Sequence, residues 1–264
     1  MNIFWRELKA YRKALIIWSV CMFLLVVSGM SKYTAYSAGG ASADVFNDMP
    51  KTMKALLGMG SFDVTQMSGF FAMLFLYIEL TAAIHAVLLG SGIIAKEERD
   101  KTVEFLMAKP VSRGTVVTSK LLAALTNVVT LNLVSLVSSI AMVAAYNKGP
   151  DITGEIVQFL GSMLLVQLIF LSLGAALSSL LKRPKASGSM ATGIMLASFV
   201  IAKITDMTDR LNFLNLLSPF KYFSYSRIVE GEGIHAGIAA LSIALAAVLA
   251  VSTYVLYRKR ELSV

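Results

Sequence analysis

The sequence predicts an all-α integral membrane protein of six transmembrane helices with both termini cytoplasmic. Three observations carry that prediction: six long apolar runs, the lack of period-2 alternation within them, and Lys and Arg gathered in alternate loops. Residues 14–31, 121–147, 156–181, 186–202 and 236–257 hold no Asp, Glu, Lys, Arg or His, and residues 64–95 hold only Glu79 and His85. A hydrocarbon core of about 30 Å takes roughly 20 helical residues, with about 17 as the lower limit, so all six runs are long enough. An open sheet would leave backbone polar groups unsatisfied in lipid, and no run alternates as a barrel strand does.

Orientation follows from the cations, because cytoplasmic loops retain them. Arg6, Lys9, Arg12 and Lys13 precede the first run, six cations lie between the second and third, three between the fourth and fifth, and Arg258, Lys259 and Arg260 close the chain. These are sixteen of the 24 Lys and Arg. The fifth run is the shortest, but without it the 258–260 tail would be exported against the charge rule. The predicted spans are 14–31, 67–95, 121–146, 157–181, 186–202 and 236–257, in one membrane domain covering 1–264. With 56% hydrophobic and 15% charged residues, the chain has too little loop for a second globular domain.

Taken in order, the N-terminus places Phe4, Leu8, Tyr11 and Leu15 at helical steps among four cations. This pattern predicts an amphipathic helix lying in the inner interface before the chain turns into the bilayer, as a topology anchor or as part of a gate. The first span carries the only cysteine, Cys21, which excludes an intramolecular disulfide. In the first external loop, Pro50 followed by Lys51, Thr52, Met53 and Lys54 predicts a short surface helix.

Glu79 and His85 are the ionisable residues well inside a span, and such groups are functional hypotheses by default. Six positions of helix set them about 120° apart, so they form no relay by themselves. Either one contacts substrate, or each is a paired or neutral group buried between helices. Asn127, Asn132, Gln158 and Gln167 are candidates for hydrogen bonds between helices. Small residues recur at four-residue steps at Ser189 and Gly193, and at Ala236, Ala240 and Ala244, suiting close packing within the chain or in a dimer.

The cytoplasmic segment 96–120 reads KEERDKTVEFLMAKPVSRGTVVTSK. Thr102 is an N-cap residue, Glu104 suits the positive end of a helix dipole, and Pro110 ends the element, leaving a helix of under two turns over 103–108. Ser112 then caps the third transmembrane helix. A charged two-turn helix offering Phe105 and Leu106 between two spans can dock into the groove of a soluble partner, and force applied there reaches both spans.

The external segment 203–233 carries Leu211, Phe213, Leu214, Leu216 and Leu217 before Ser218, Pro219 and Phe220. It is too apolar to float in water and is expected to fold back into the outer interface or a shallow re-entrant hairpin broken at Pro219. It would then cap an exit path, or anchor an aromatic belt through Phe220, Tyr222, Phe223 and Tyr225.

The pattern E-E-R-x-x-T-x-E-x-L-x-x-x-P-V-S-R over 97–113 resembles the coupling segment of ABC-2 type permeases, the membrane subunits of a class of ATP-driven exporters. The basic N-terminal helix with its Glu7, the six spans, and Leu217-Ser218-Pro219-Phe220 before the last span are similar to that family too. Asp100-Lys101 departs from it, since members often carry Gly just before the Thr. The resemblance implies a type V exporter-like fold and a coupling site of Glu97, Glu98, Arg99, Thr102, Glu104, Phe105, Leu106, Pro110 and Arg113. It further implies a separate P-loop ATPase that holds ATP and Mg, a second permease copy, location in the cell membrane, and an amphipathic or peptide-like cargo. Glu79, His85, Pro219 and Phe220 are the candidates for a substrate path or gate.

The chain has no G-x-x-x-x-G-K-[ST] run and so does not hold a nucleotide in the P-loop way; with one Cys, no H-E-x-x-H zinc helix and no Ser/His/Asp nucleophile set, no cofactor or metal site and no enzymatic role is expected in it. The net charge of +8 sits beside the membrane, where topology and anionic lipid explain it without nucleic acid. Two other readings remain open: a proton-linked transporter using Glu79, and a non-transporting scaffold or immunity protein.

Overall fold

The computed structural model describes residues 3–37, 49–60, 62–102, 104, 111–181 and 183–259. Helix α1 spans Ile3–Met30 and is followed by short helices α2 (Tyr33–Ser37) and α3 (Lys51–Leu56). The long helices α4 (Met67–Arg99), α5 (Arg113–Tyr146), α6 (Thr153–Leu180) and α7 (Pro184–Met207) come next. Two 3₁₀ stretches, Asp209–Leu217 and Pro219–Lys221, lead through α8 (Tyr225–Val229) to α9 (Ala236–Lys259). No strand occurs among the described residues, and six helices are long and apolar enough to cross a membrane.

Local chemistry sets several boundaries. The Thr115 N–H donates to Ser112 Oγ at 3.1 Å, capping α5 as expected. Pro184 opens α7 at a position where its missing N–H costs nothing, and Pro50 precedes α3.

Helices α4 and α6 form the centre, burying 72% and 61% of their most apolar stretches against 17% for α1 and 11% for α9. They touch backbone to backbone. A Cβ on Gly90 would sit 2.1 Å from the Leu171 carbonyl oxygen, and one on Gly174 would sit 2.5 Å from that of Val87. Apolar burial drives little association in lipid, so such a crossing gains its stability from close packing and hydrogen bonds. Ser178 Oγ donates to the Ser91 carbonyl at 2.9 Å beside the crossing, and the Asn132 amide donates to Gln167 Oε1 to tie α5 to α6. Asn127 instead bonds the Ala123 carbonyl of its own helix at 2.7 Å. The small residues Ser189, Gly193, Ala236, Ala240 and Ala244 face out of the bundle.

Two expectations are corrected. Helix α1 is unbroken from Ile3 to Met30, with no separate interfacial helix, because Phe4, Leu8 and Tyr11 pack onto the apolar cluster around Ile93, Ala124 and Tyr257. Phe220 and Phe223 are core residues of the bundle and not belt residues. Phe220 is inserted between Phe170 and Phe199, with ring centroids 5.2 and 5.4 Å away, and Phe223 is buried with it. The break at Pro219 is present, and the Ser218 hydroxyl fixes it by donating to the Ser198 carbonyl of α7 at 2.8 Å.

Candidate functional site

The end of the bundle that carries the 96–120 segment is held by a buried network of charges. Glu7, on the first turns of α1, is fully buried. Its Oε1 accepts from Arg6 Nη2 and Nε at 2.8 and 3.1 Å, and its Oε2 accepts from Lys96 Nζ of α4 at 2.9 Å. Arg6 Nη2 also donates to Glu97 Oε1 at 2.8 Å, so one guanidinium serves carboxylates on two helices. The second oxygen of Glu97 accepts from Lys120 Nζ of α5, which also donates to the Ile93 carbonyl. Lys120 has no solvent exposure at all.

Three cations and two carboxylates thus join α1, α4 and α5 at one level. A buried charge is tolerated only when paired and hydrogen-bonded, and each carboxylate here receives donors on both oxygens. Lys96 also stands 5.7 Å from the centre of the Tyr11 ring.

The exit from α4 is a tight C-terminal motif. The Thr102 N–H donates to the Glu97 carbonyl at 2.8 Å and the Lys101 N–H to the Glu98 carbonyl at 3.4 Å, with Lys101 in the left-handed region at φ 54°. This is the paired hydrogen-bond pattern that glycine usually completes. The departure at Asp100-Lys101 therefore keeps the turn and loads its left-handed position with a side chain.

The residues named for coupling separate into three groups. Glu97 belongs to the buried network, with Glu98 half-buried next to it. Arg99, paired with Asp100 at 3.0 Å, is exposed, as are Thr102 and Glu104. Phe105, Leu106 and Pro110, with the helix expected over 103–108, lie outside the described residues apart from Glu104. Arg113, at the start of α5, donates to the Arg258 carbonyl at 3.0 Å, placing a cation on the carbonyl end of α9. Lys96, Lys120 and Arg6 were legible only as topology cations, and Glu7 only through the family pattern. A sharper signal was available: Glu7 is the lone acid among four cations in the first thirteen residues.

Further along α4, Glu79 in its N-terminal half and His85 at its middle are separate, as their spacing requires. The Tyr225 hydroxyl donates to Glu79 Oε2, and the Tyr225 ring sits against Phe75 and Phe159 at 5.4 and 5.7 Å. Burial, with the Glu79 carboxyl beside it, pushes the Tyr225 phenol well above its ordinary value, so it stays the donor. His85 packs edge-on to Trp18 at 5.3 Å. Pro219 and Phe220 are both buried where the segment after α7 folds back onto α6 and α7. Among the described residues, no three His, Cys, Asp or Glu side chains gather to hold a metal.

A family model described as ABC-2 family transporter protein matches residues 1–262. No curated protein matches the chain.

Proposed function

This chain belongs to the ABC-2 family of transporter proteins, as a multi-pass membrane permease of ABC-type transport, and on that premise we propose that it couples ATP hydrolysis in a separate subunit to export of a substrate. The partner is a cytoplasmic P-loop ATPase that binds ATP and Mg, docked on the segment from Glu97 to Arg113 by way of Phe105 and Leu106. A second permease copy completes the assembly, with both termini cytoplasmic.

The observation that supports this reading is the Glu97–Lys120 pair. It joins the two helices on either side of the docking segment, and Arg6 and Glu7 extend it to α1. Displacement of the segment therefore acts on three helices together, where a free loop would dissipate it. Helix α4 carries the displacement onward, since its contact with α6 at Gly90 and Gly174 leaves no space for independent sliding.

The test is purification of the detergent-solubilised chain from its native membrane beside Phe105→Asp and Thr102→Pro variants. A P-loop ATPase recovered with the wild type and lost from the variants is the expected result. Absence of any ATPase from the intact chain would overturn the proposal.

A further inference from the structure

The end of the bundle away from the charge network contains a half-open cavity of about 390 Å³, bounded by α3, the loop after it, the outer end of α7 and the segment from Phe220 to Ser226. Its floor is apolar, made by Leu76, Phe199, Phe220 and Phe223. Its polar wall is cationic. Among the described residues, Lys54, Lys203 and Lys221 line it with one acid, Asp206, and Ser224 belongs to the same lining.

Asp206 is shared. Its Oδ2 accepts from Lys203 Nζ at 2.9 Å and its Oδ1 accepts from Lys221 Nζ at 2.5 Å. Lys203 Nζ also reaches the Ala55 carbonyl at 3.4 Å and lies 5.8 Å from the centre of the Phe199 ring. One carboxylate bridging two ammonium groups leaves this triad with one positive charge in excess. An ammonium has three donors, so both bridged lysines keep donors for a further acceptor.

A topology role does not explain this cluster, because the cations that direct insertion gather on the other face. Nor does packing alone, because an ion pair at a half-exposed position contributes little stability. A cationic rim over an aromatic floor fits a ligand whose anionic group is attached to an apolar body. We propose that this cavity binds the phosphate group of an anionic amphiphile, with Lys203 and Lys221 as its principal contacts and Asp206 as an internal anion that holds them in place and competes with it.

The shared chemistry is a phosphate, supplied by a membrane lipid or by a free anion, and the floor favours the lipid. The site does not depend on an ATPase partner, so it is tested on the permease alone and its failure is separate from failure of the coupling reading.

The experiment is native mass spectrometry of the purified full chain titrated with phosphatidylglycerol or phosphatidylcholine, each with and without excess inorganic phosphate. Wild type is expected to bind phosphatidylglycerol selectively. Lys221→Gln is expected to weaken that binding roughly tenfold, as loss of a hydrogen bond from a charged donor would. Asp206→Asn is expected to strengthen it. The opposite signs are the discriminating readout, since a merely structural ion pair would respond alike to both substitutions. Displacement of phosphatidylglycerol by inorganic phosphate supports recognition of the phosphate alone, and selective retention in its presence supports the lipid. Equal binding of the two lipids, or selectivity unchanged in Lys221→Gln and Asp206→Asn, would overturn the proposal. Thermal unfolding of each variant in the same detergent confirms that a folded chain is being read.

Discussion

Replacing Lys120 by Met removes the one cation that Glu97 Oε2 contacts while keeping much of the side-chain volume. Glu97 is buried, so its charge then rests on Arg6 alone, 2.8 Å from the other oxygen. Removing one partner of a buried pair costs about 3–5 kcal/mol, and the remaining Arg6 contact places the expected loss at the low end, about 3 kcal/mol. That is a large share of the stability of a typical domain, about 5–15 kcal/mol. Glu97→Gln in the same chain removes the stranded charge, so the double variant is expected to lose less than the sum of the two single variants, with a coupling of about 1–3 kcal/mol. Both tryptophans of the chain, Trp5 and Trp18, lie on α1, which the network holds. Equilibrium unfolding in mixed micelles followed by tryptophan fluorescence therefore reports on the element concerned. A Lys120→Met chain within about 0.5 kcal/mol of wild type, or strictly additive losses, would refute the account of the network as coupled buried charge.

Lys101→Gly is expected to raise the thermal midpoint slightly, because left-handed backbone costs a side-chain-bearing residue about 1 kcal/mol and added chain entropy offsets part of the relief; Lys101→Val should lower it. Gly90→Ala drives a methyl into the Leu171 carbonyl and should destabilise the chain by about 1–3 kcal/mol, while Gly154→Ala, with nothing within 4 Å, should be neutral, both read from detergent melting curves. Glu79→Gln keeps an acceptor for Tyr225 and should leave transport intact in a reconstituted flux assay, whereas a proton-linked carboxylate would lose it. Tyr225→Phe strands the Glu79 carboxyl and should cost about 1–3 kcal/mol in the same melting assay. The raised Tyr225 pKa adds a pH signature: its contribution is whole below about pH 10, the ordinary phenol value, and is lost as pH climbs through the folded value.

The six helices were legible because length and charge exclusion are strong signals, and the caps were legible because Ser112 and Pro50 act through their own backbone neighbours. The network was not, for a physical reason. A Lys or Arg at the end of an apolar run satisfies the topology rule whether it faces water or a carboxylate on another helix, and nothing local separates Lys120 from Lys101. One is wholly buried and the other exposed. The same degeneracy hid the course of α1. The spacing of Phe4, Leu8 and Tyr11 states that one face is apolar, and the tertiary contact decides whether lipid or Ile93 covers it. It hid the cavity as well, since Lys54, Lys203 and Lys221 are scattered over 168 positions of sequence and meet only when the segment after α7 folds back.

Helix α4 is where these separate features become one mechanical object. Its C-terminal end supplies Lys96 and Glu97 to the network, its middle meets α6 backbone to backbone, and its N-terminal half supplies Glu79 to Tyr225 and Leu76 to the cavity floor. It is also the most buried of the six, so neighbours constrain it on nearly every side. An axial shift of α4 without α6 would drive Gly90 against the Leu171 carbonyl, so a shift applied at Glu97 must carry α6 with it. The Ser178 to Ser91 hydrogen bond adds a directional tie at the same level. Ser178→Ala cuts that tie, and with it the Ser187 contact at 3.3 Å on α7, while keeping both glycines; it should therefore leave the α4–α6 packing in place, a smaller loss than Gly90→Ala in the same melting assay, and an equal loss would mean that the hydrogen bonds of this hydroxyl hold the bundle together as strongly as close packing does.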